Sequence, residues 1–456
     1  MKFTIASPGK QTPHSRPVLK SLCYTGAPIM LGRQGGGVGM ELALLGGQPV
    51  RQRPFLNWPV FGREEEELLQ EVLHSRTWGG YSAQVGEFEA AFARMQGVRH
   101  AISCCNGTVA LEVALRALDL KCGEEVIVPP ITFVSTAGTV LICHGVPVFA
   151  DIDPKTLNLF PPAVEASITS RTRAIIAVHF GGHPADLDAL TAIAERHGLA
   201  LIEDAAHAHG AAWRGTPVGN FGVAASFSFQ AFKLMTAGEG GAVLTNSSAI
   251  AEKAWSYCNL GRHKGAGWYE HFTTGSNYRL TGFQAAVLGA QLKRLSEQNR
   301  RRAENVQYFR EQMRPFRGLS LAEDDERVSH HPHYIITLRY DPAAFAGVPR
   351  DLFLRALHAE GISAQPTYPY PLYRNPLFRK ESLPPCGCGK WSTAQDYESL
   401  FLPESERICK EGMWLEHYIF LGTHQDIDDI IAAFEKIQQR AGSLLQLQES
   451  PQESQP

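Results

Sequence analysis

Ser226-Phe-Ser-Phe-Gln-Ala-Phe-Lys233-Leu-Met-Thr-Ala-Gly238-Glu-Gly-Gly241-Ala-Val243 is the stretch around which the rest of the chain is read. An aromatic, strand-like run ends at a single lysine, and a glycine cluster follows it. An amine at a strand end, beside backbone with little side-chain bulk, suits Schiff-base chemistry. An apolar setting lowers a lysine pKa and leaves the amine free to attack a carbonyl. The same residues also suit a surface lysine in a β-turn, and this stretch alone does not separate the two.

Upstream of it, strands alternate with helices. Val98-Arg-His-Ala-Ile-Ser-Cys104, Glu125-Val-Ile-Val-Pro129, Val146-Pro-Val-Phe-Ala-Asp151, Arg173-Ala-Ile-Ile-Ala-Val-His179 and Leu199-Ala-Leu-Ile-Glu-Asp204 read as apolar strands. Residues 108–118 and 187–197 place strong helix formers at helical spacing between them. This alternation predicts an α/β fold, a mostly parallel sheet covered on both faces, with ligands bound beyond the C-terminal strand ends.

Downstream, a long helix from residue 282, a strand at 334–340, a helix at 350–360, a Pro- and Tyr-rich loop at 366–376 and an amphipathic helix at 427–440 predict a smaller α+β domain. The expected partition is a flexible N-terminal arm (1–50), a large domain (51–280), a small C-terminal domain (281–440) and a disordered tail (441–456) rich in Gln, Ser and Pro. Gly35-Gly-Gly-Val-Gly39 has no strand ahead of it, so the arm reading displaces a nucleotide-loop reading.

Composition removes several function classes. The 456 residues are 44% hydrophobic and 20% charged, with a net charge of −3, which gives neither nucleic acid nor an anionic membrane surface a reason to bind. No apolar run reaches membrane-spanning length, and the apolar run before Ser7 is too short for a signal-peptide core. The nine cysteines, among them Cys104-Cys105 and Cys386-Gly-Cys388, do not form a disulfide framework, so a cytoplasmic protein is expected. Cys386, Cys388 and Cys409 lack the paired spacing and fourth ligand of a metal site, and no metal is expected.

Four features fall at expected strand ends. Asn106-Gly107-Thr108 opens a helix, where backbone N–H groups and the Thr hydroxyl can face an anion; an Asn or Thr there also serves as a simple N-cap. Phe133 follows a strand and can lie flat on a planar cofactor, or pack in the core as any Phe does. Asp204 ends a strand and begins Asp-Ala-Ala-His207-Ala-His209-Gly210, where small residues allow a heterocycle to approach a carboxylate. Lys233 comes next. Anion cradle, aromatic platform, carboxylate and aldehyde-trapping lysine are the protein parts that pyridoxal 5'-phosphate needs.

The runs Glu203-Asp-Ala-Ala-His-Ala-His-Gly210, Ser226 to Val243, and Gly275-Ser-Asn277-Tyr-Arg279-Leu280 resemble those of the DegT/DnrJ-type aminotransferases, in order and spacing. The resemblance implies a fold-type I pyridoxal phosphate transferase with a large, mostly parallel seven-stranded α/β/α domain. It also implies roles for single residues. Lys233 would carry the cofactor as a Schiff base and then shuttle a proton, while Asp204 would pair with the pyridine nitrogen. Phe133 would stack on the ring and His207 would sit near it. Gly107, Thr108 and Ser228 would hold the phosphate, and Asn277 would reach it from the other subunit of a homodimer with shared active sites. Phe133 and His207 stand where the family often has Trp and Gln, and Ala231-Phe232 replaces a small hydroxyl residue common before the lysine.

Within the family, the runs around Asp204 and Lys233, with Trp414-Leu-Glu-His417, resemble the branch of glutamine-dependent scyllo-inosose aminotransferases and 3-amino-5-hydroxybenzoate synthases. The implied reaction moves an amino group from L-glutamine or L-glutamate to a keto group on a cyclitol or a nucleotide-linked keto sugar. An aromatising synthase and a non-catalytic cofactor-binding regulator are the rival readings. A sugar dehydratase of this superfamily has His in place of Lys233.

Overall fold

Seven short strands form the central sheet: β1 (His100–Cys104), β2 (Glu125–Val128), β3 (Val146–Phe149), β4 (Thr172–Val178), β5 (Ala200–Asp204), β6 (Ala224–Ser228) and β7 (Gly241–Thr245). They appear in a computed structural model that describes residues 41–323, 325–382 and 396–447. The order is β1-β7-β6-β5-β4-β2-β3. β7 runs antiparallel to both its neighbours, and the other pairs are parallel. The glycine cluster after Lys233, which the sequence allowed as a turn or as backbone passing close beneath a cofactor, leads into the strand β7.

Side-chain alternation divides these strands between two cores. On β4, Ala174 and Ile176 pack with the helix Gly107–Ala117, while Ile175 and Ala177 pack with the helix Leu187–His197. Burial on both faces explains why the strands read as continuous apolar runs.

A second, antiparallel sheet contains β8 (Leu319–Leu321), β9 (Ile335–Tyr340), β10 (Gln365–Pro366) and β11 (Gly412–Glu416), in the order β8-β9-β11-β10. The helix Gly282–Met313 serves both parts. Its Ala285, Leu288 and Leu295 pack under the large sheet, and its Val306, Phe309 and Met313 pack under the small one. A capping box fixes its start, with Thr281 N–H donating to Gln284 Oε1 (3.0 Å) and Gln284 N–H to Thr281 Oγ1 (3.4 Å).

Both ends of the packed chain differ from expectation. Leu42 is buried in the core of the small sheet, and Glu360 accepts from Ala43 N–H (2.9 Å) and Val50 N–H (3.0 Å). Packing thus begins ahead of residue 51, where the arm was expected to end. The last helix continues to Leu444, and Ala441 and Leu444 are buried. An apolar stripe outweighs the polar composition there, so the tail is ordered at least to Leu447. The glycine cluster at 35–39, Cys386, Cys388 and residues 448–456 lie outside the described residues.

The cysteines also differ in one place. Cys104, Cys105, Cys143, Cys258 and Cys409 are free, whereas Cys122 is disulfide-bonded, which the odd count and scattered spacing did not anticipate. Among the described residues no His, Cys, Asp or Glu group could hold a metal ion, and no helix is long and apolar enough to cross a membrane.

Candidate active site

A cavity of about 730 Å³ opens at the C-terminal ends of the parallel strands. Seven of the eight expected site residues line it: Gly107, Thr108, Phe133, Asp204, His207, Ser228 and Lys233. Asn277 does not. It is exposed on the segment 275–280, whose Tyr278 carbonyl accepts from Cys105 N–H at 2.8 Å.

The strand ends set these positions. Asp204 is the last residue of β5 and Ser228 the last of β6. Asn106 is the N-cap of the helix Gly107–Ala117, and its Oδ1 accepts from Val109 N–H at 2.9 Å. That leaves the helix's positive end facing the cavity beside Thr108, whose hydroxyl lies 2.6 Å from that of Ser135. Two glycines make this approach possible. A Cβ on Gly107 would sit 2.6 Å from Ser228 Cβ, and one on Gly241 would sit 2.3 Å from the Asn106 carbonyl oxygen. Gly241 thus lets β7 pass directly under the helix start.

The loop carrying Lys233 is folded on itself. Lys233 N–H donates to Gln230 O (2.8 Å), Phe232 N–H to Gln230 Oε1 (2.9 Å) and Ala237 N–H to Phe229 O (3.1 Å). Two side chains grip it from outside: Trp58 Nε1 donates to Ala231 O and His417 Nε2 to Phe232 O, each at 3.0 Å. The Trp58 and His417 rings meet edge to face at 4.6 Å. These bonds hold the position where a small hydroxyl residue was missing from the sequence pattern.

Burial dominates the electrostatics. It lowers Lys233 to about 8, against the opposing charges of Asp204 and Glu416. It raises Asp204, opposed by the Thr136 hydroxyl (2.8 Å), the Ala206 N–H (3.3 Å) and Lys233. A cation opposite Asp204 would bring it back down. Burial, then Lys233, hold His207 well below the usual imidazole range, so this ring is neutral.

Sequence reasoning did not assign Tyr334, Trp414 or Glu416 to the site, although the Pro- and Tyr-rich loop that carries Tyr368 was a candidate to shape the acceptor pocket. Tyr334, Tyr368, Trp414 and Glu416 all line the cavity. The Tyr334 hydroxyl lies 3.5 Å from Lys233 Nζ, and its ring stacks on His207 at 4.3 Å. Glu416 lay inside a run singled out for its resemblance, but no local pattern says which face of β11 meets the cavity. Thr136 was legible only as one hydroxyl in Ile131-Thr-Phe-Val-Ser-Thr136. The Pro- and Tyr-rich loop does two things: Tyr368 faces the cavity, while Leu372, Tyr373 and Phe378 are buried in the core.

Residues 59–435 match the model of the DegT/DnrJ/EryC1/StrS aminotransferase family. A Streptoalloteichus tenebrarius protein with the provisional name L-glutamine:3-amino-2,3-dideoxy-scyllo-inosose aminotransferase is 40% identical over 412 residues, covering 89% of this chain and 99% of that protein. The L-glutamine:2-deoxy-scyllo-inosose aminotransferase of Streptomyces lividus is 39% identical over 421 residues, with the same coverage. The crystal structure of a 3-amino-5-hydroxybenzoic acid synthase superposes with a TM-score of 0.77 at 34% identity, covering 85% of this chain and 98% of the other. The chain is an aminotransferase and belongs to the DegT/DnrJ/EryC1/StrS family.

Proposed function

We propose that this chain is a fold-type I enzyme that uses pyridoxal 5'-phosphate to move an amino group from L-glutamine, or L-glutamate, to the keto group of a cyclitol. The observation that carries the reading is the meeting of Lys233 and Asp204 in one cavity, with the Lys233 amine lowered to about 8. Near-complete coverage by relatives named for glutamine and inososes supports donor and acceptor class.

The residues fit the cofactor. Gly107, Thr108 and Ser228 would hold its phosphate at the helix start. Phe133, exposed at the cavity, would cover one ring face, and Asp204 would hold the ring nitrogen protonated. His207 Nδ1 is buried without a partner among the described residues and lies on the same wall, where a polar ligand atom would satisfy it. Pyridoxal phosphate supplies the electron sink for the substrate carbanion.

The chain's own residues do the rest. The Lys233 amine, lowered to about 8 and so part deprotonated near neutral pH, would hold the cofactor through its carbonyl and would be the base that moves a proton to and from the substrate carbon. Asn277 is exposed and outside this chain's cavity, which suits the expected contribution to a partner's site in a homodimer. A cytoplasmic location completes the reading.

A half-reaction screen tests it. The holoenzyme is loaded with each donor, and each ketone is then asked to restore the Schiff-base spectrum. Restoration by an inosose, with product mass equal to simple amination, is expected. Loss of water and an aromatic product would instead indicate the synthase reaction, and no spectral change with any donor would indicate a regulator.

A further inference from the structure

Tyr334 enters the cavity from the second sheet, and its backbone is fixed before it gets there. Its N–H donates to Gly181 O at 2.8 Å, and two residues earlier Arg302 Nε donates to Pro332 O at 3.0 Å. The next residue, Ile335, pairs in register with Glu416. Gly182, at φ 94°, leaves room for this crossing: a Cβ there would sit 3.1 Å from Pro332 Cγ and 3.3 Å from Tyr334 N. The Tyr334 ring then stacks on His207 at 4.3 Å and faces His417 at 5.8 Å, 25° from parallel. Burial holds both imidazoles well below their usual range, so the ring stands between two neutral neighbours.

Among the described residues, the Tyr334 hydroxyl is the one hydrogen-bond partner of the Lys233 amine, 3.5 Å from Nζ, and Nζ lies 4.5 Å from the ring centroid. Asp204 and Glu416 act on the amine through charge alone. A lysine amine sits on a flexible four-carbon stem, so a base that must meet one carbon atom needs something to aim it. Contacts of this kind are often long until substrate tightens them. Burial, then the charge of Glu416, raises the Tyr334 pKa, so the hydroxyl stays neutral and its oxygen is free to accept. A neutral acceptor suits this task. It can take an N–H from the amine and from the ammonium alike, whereas a carboxylate in contact would hold the proton on the nitrogen. The ring face adds attraction for the ammonium form.

Resting on the proposed function, we infer that Tyr334 is the positioning residue for proton transfer by Lys233. Its hydroxyl oxygen takes one N–H of the amine and turns the nitrogen lone pair toward the substrate carbon. As the proton moves, the C–H bond breaks, a new N–H bond forms on Lys233, and the electron pair left on carbon passes into the cofactor ring. Tyr334 keeps its own proton throughout.

Tyr334→Phe tests this, because it keeps a ring on His207 and removes the hydroxyl. Conversion of the amino donor by holoenzyme is followed in a single turnover, with hydrogen or deuterium on the donor's α-carbon. L-glutamine and L-glutamate are both used. The variant is expected to convert the donor roughly tenfold more slowly, about the worth of a hydrogen bond to a charged group. Its deuterium effect should be at least as large as that of the unmodified enzyme, and its cofactor retention in equilibrium dialysis should be unchanged. In cofactor-free protein, loss of an acceptor for the ammonium should move the midpoint of cofactor capture to lower pH. An unchanged rate, an unmoved midpoint, or a slower rate whose deuterium effect shrinks overturns the inference. So does cofactor retention that falls in step with the rate, which marks a packing role. Conversion of neither donor by the unmodified enzyme removes the functional reading, and the inference with it.

Discussion

Thr136 Oγ1 donates to Asp204 Oδ2 across 2.8 Å, and Thr132 Oγ1 lies 2.9 Å behind Thr136 Oγ1. An ionised carboxylate can only accept, so the proton order runs from Thr132 to Thr136 to Asp204. The pair holds Asp204 in its charged form against the burial that raises its pKa. Thr136→Val keeps the shape and removes the donor. We expect kcat to fall about tenfold, the worth of a hydrogen bond to a charged group, and the acid limb of the kcat profile to move to higher pH. An unmoved limb would remove this positioning role.

Asp204 itself can be tested by Asp204→Asn, which keeps size and hydrogen-bonding capacity while losing the charge. The variant should retain cofactor and lose turnover by roughly a hundredfold or more, as when a preorganised electrostatic partner is deleted. Steady-state kinetics on cofactor-saturated protein give the answer, and near-normal turnover would remove Asp204 from its place opposite the ring nitrogen.

Lys233 should reveal its lowered pKa during cofactor capture. Only the free amine attacks a carbonyl, so capture by cofactor-free protein is expected to accelerate as pH rises through about 8 and then level off. An ordinary lysine would keep accelerating past pH 10. Because the Glu416 charge raises Lys233, Glu416→Gln should shift the midpoint to lower pH. The same shift links to folding: a lysine whose folded pKa is depressed adds stability to cofactor-free protein as pH rises from about 8 toward its ordinary value near 10.5.

Trp58 and His417 hold consecutive carbonyls of the lysine loop. Trp58→Phe keeps an aromatic ring beside His417 but removes the N–H. Loss of one such bond is worth about 1 kcal/mol, and it should appear as roughly fivefold weaker cofactor retention in equilibrium dialysis. Unchanged retention would mean that the turn within residues 229–237 is sufficient by itself.

Much of the large sheet was legible because its strands are buried on both faces and so read as apolar runs; β4 and β5 are examples. β7 was not legible, since Gly241 opens it and glycine signals a turn until Asn106 is seen to need the space. Asp204 and Lys233 stood out because each ends or follows an apolar run. Tyr334 and Glu416 did not, because they reach the cavity through pairing of two distant segments, Ile335 with Glu416, that no local spacing encodes. Leu42 and Leu444 were hidden for a related reason: each lies in polar or glycine-rich sequence and is buried only by partners far along the chain.

The central claim is that Lys233 forms the Schiff base with pyridoxal phosphate. Borohydride reduction of the purified holoenzyme, followed by peptide mapping, tests it most directly. A stable pyridoxyl label on Lys233 is the expected result, and a label on any other lysine would contradict the assignment.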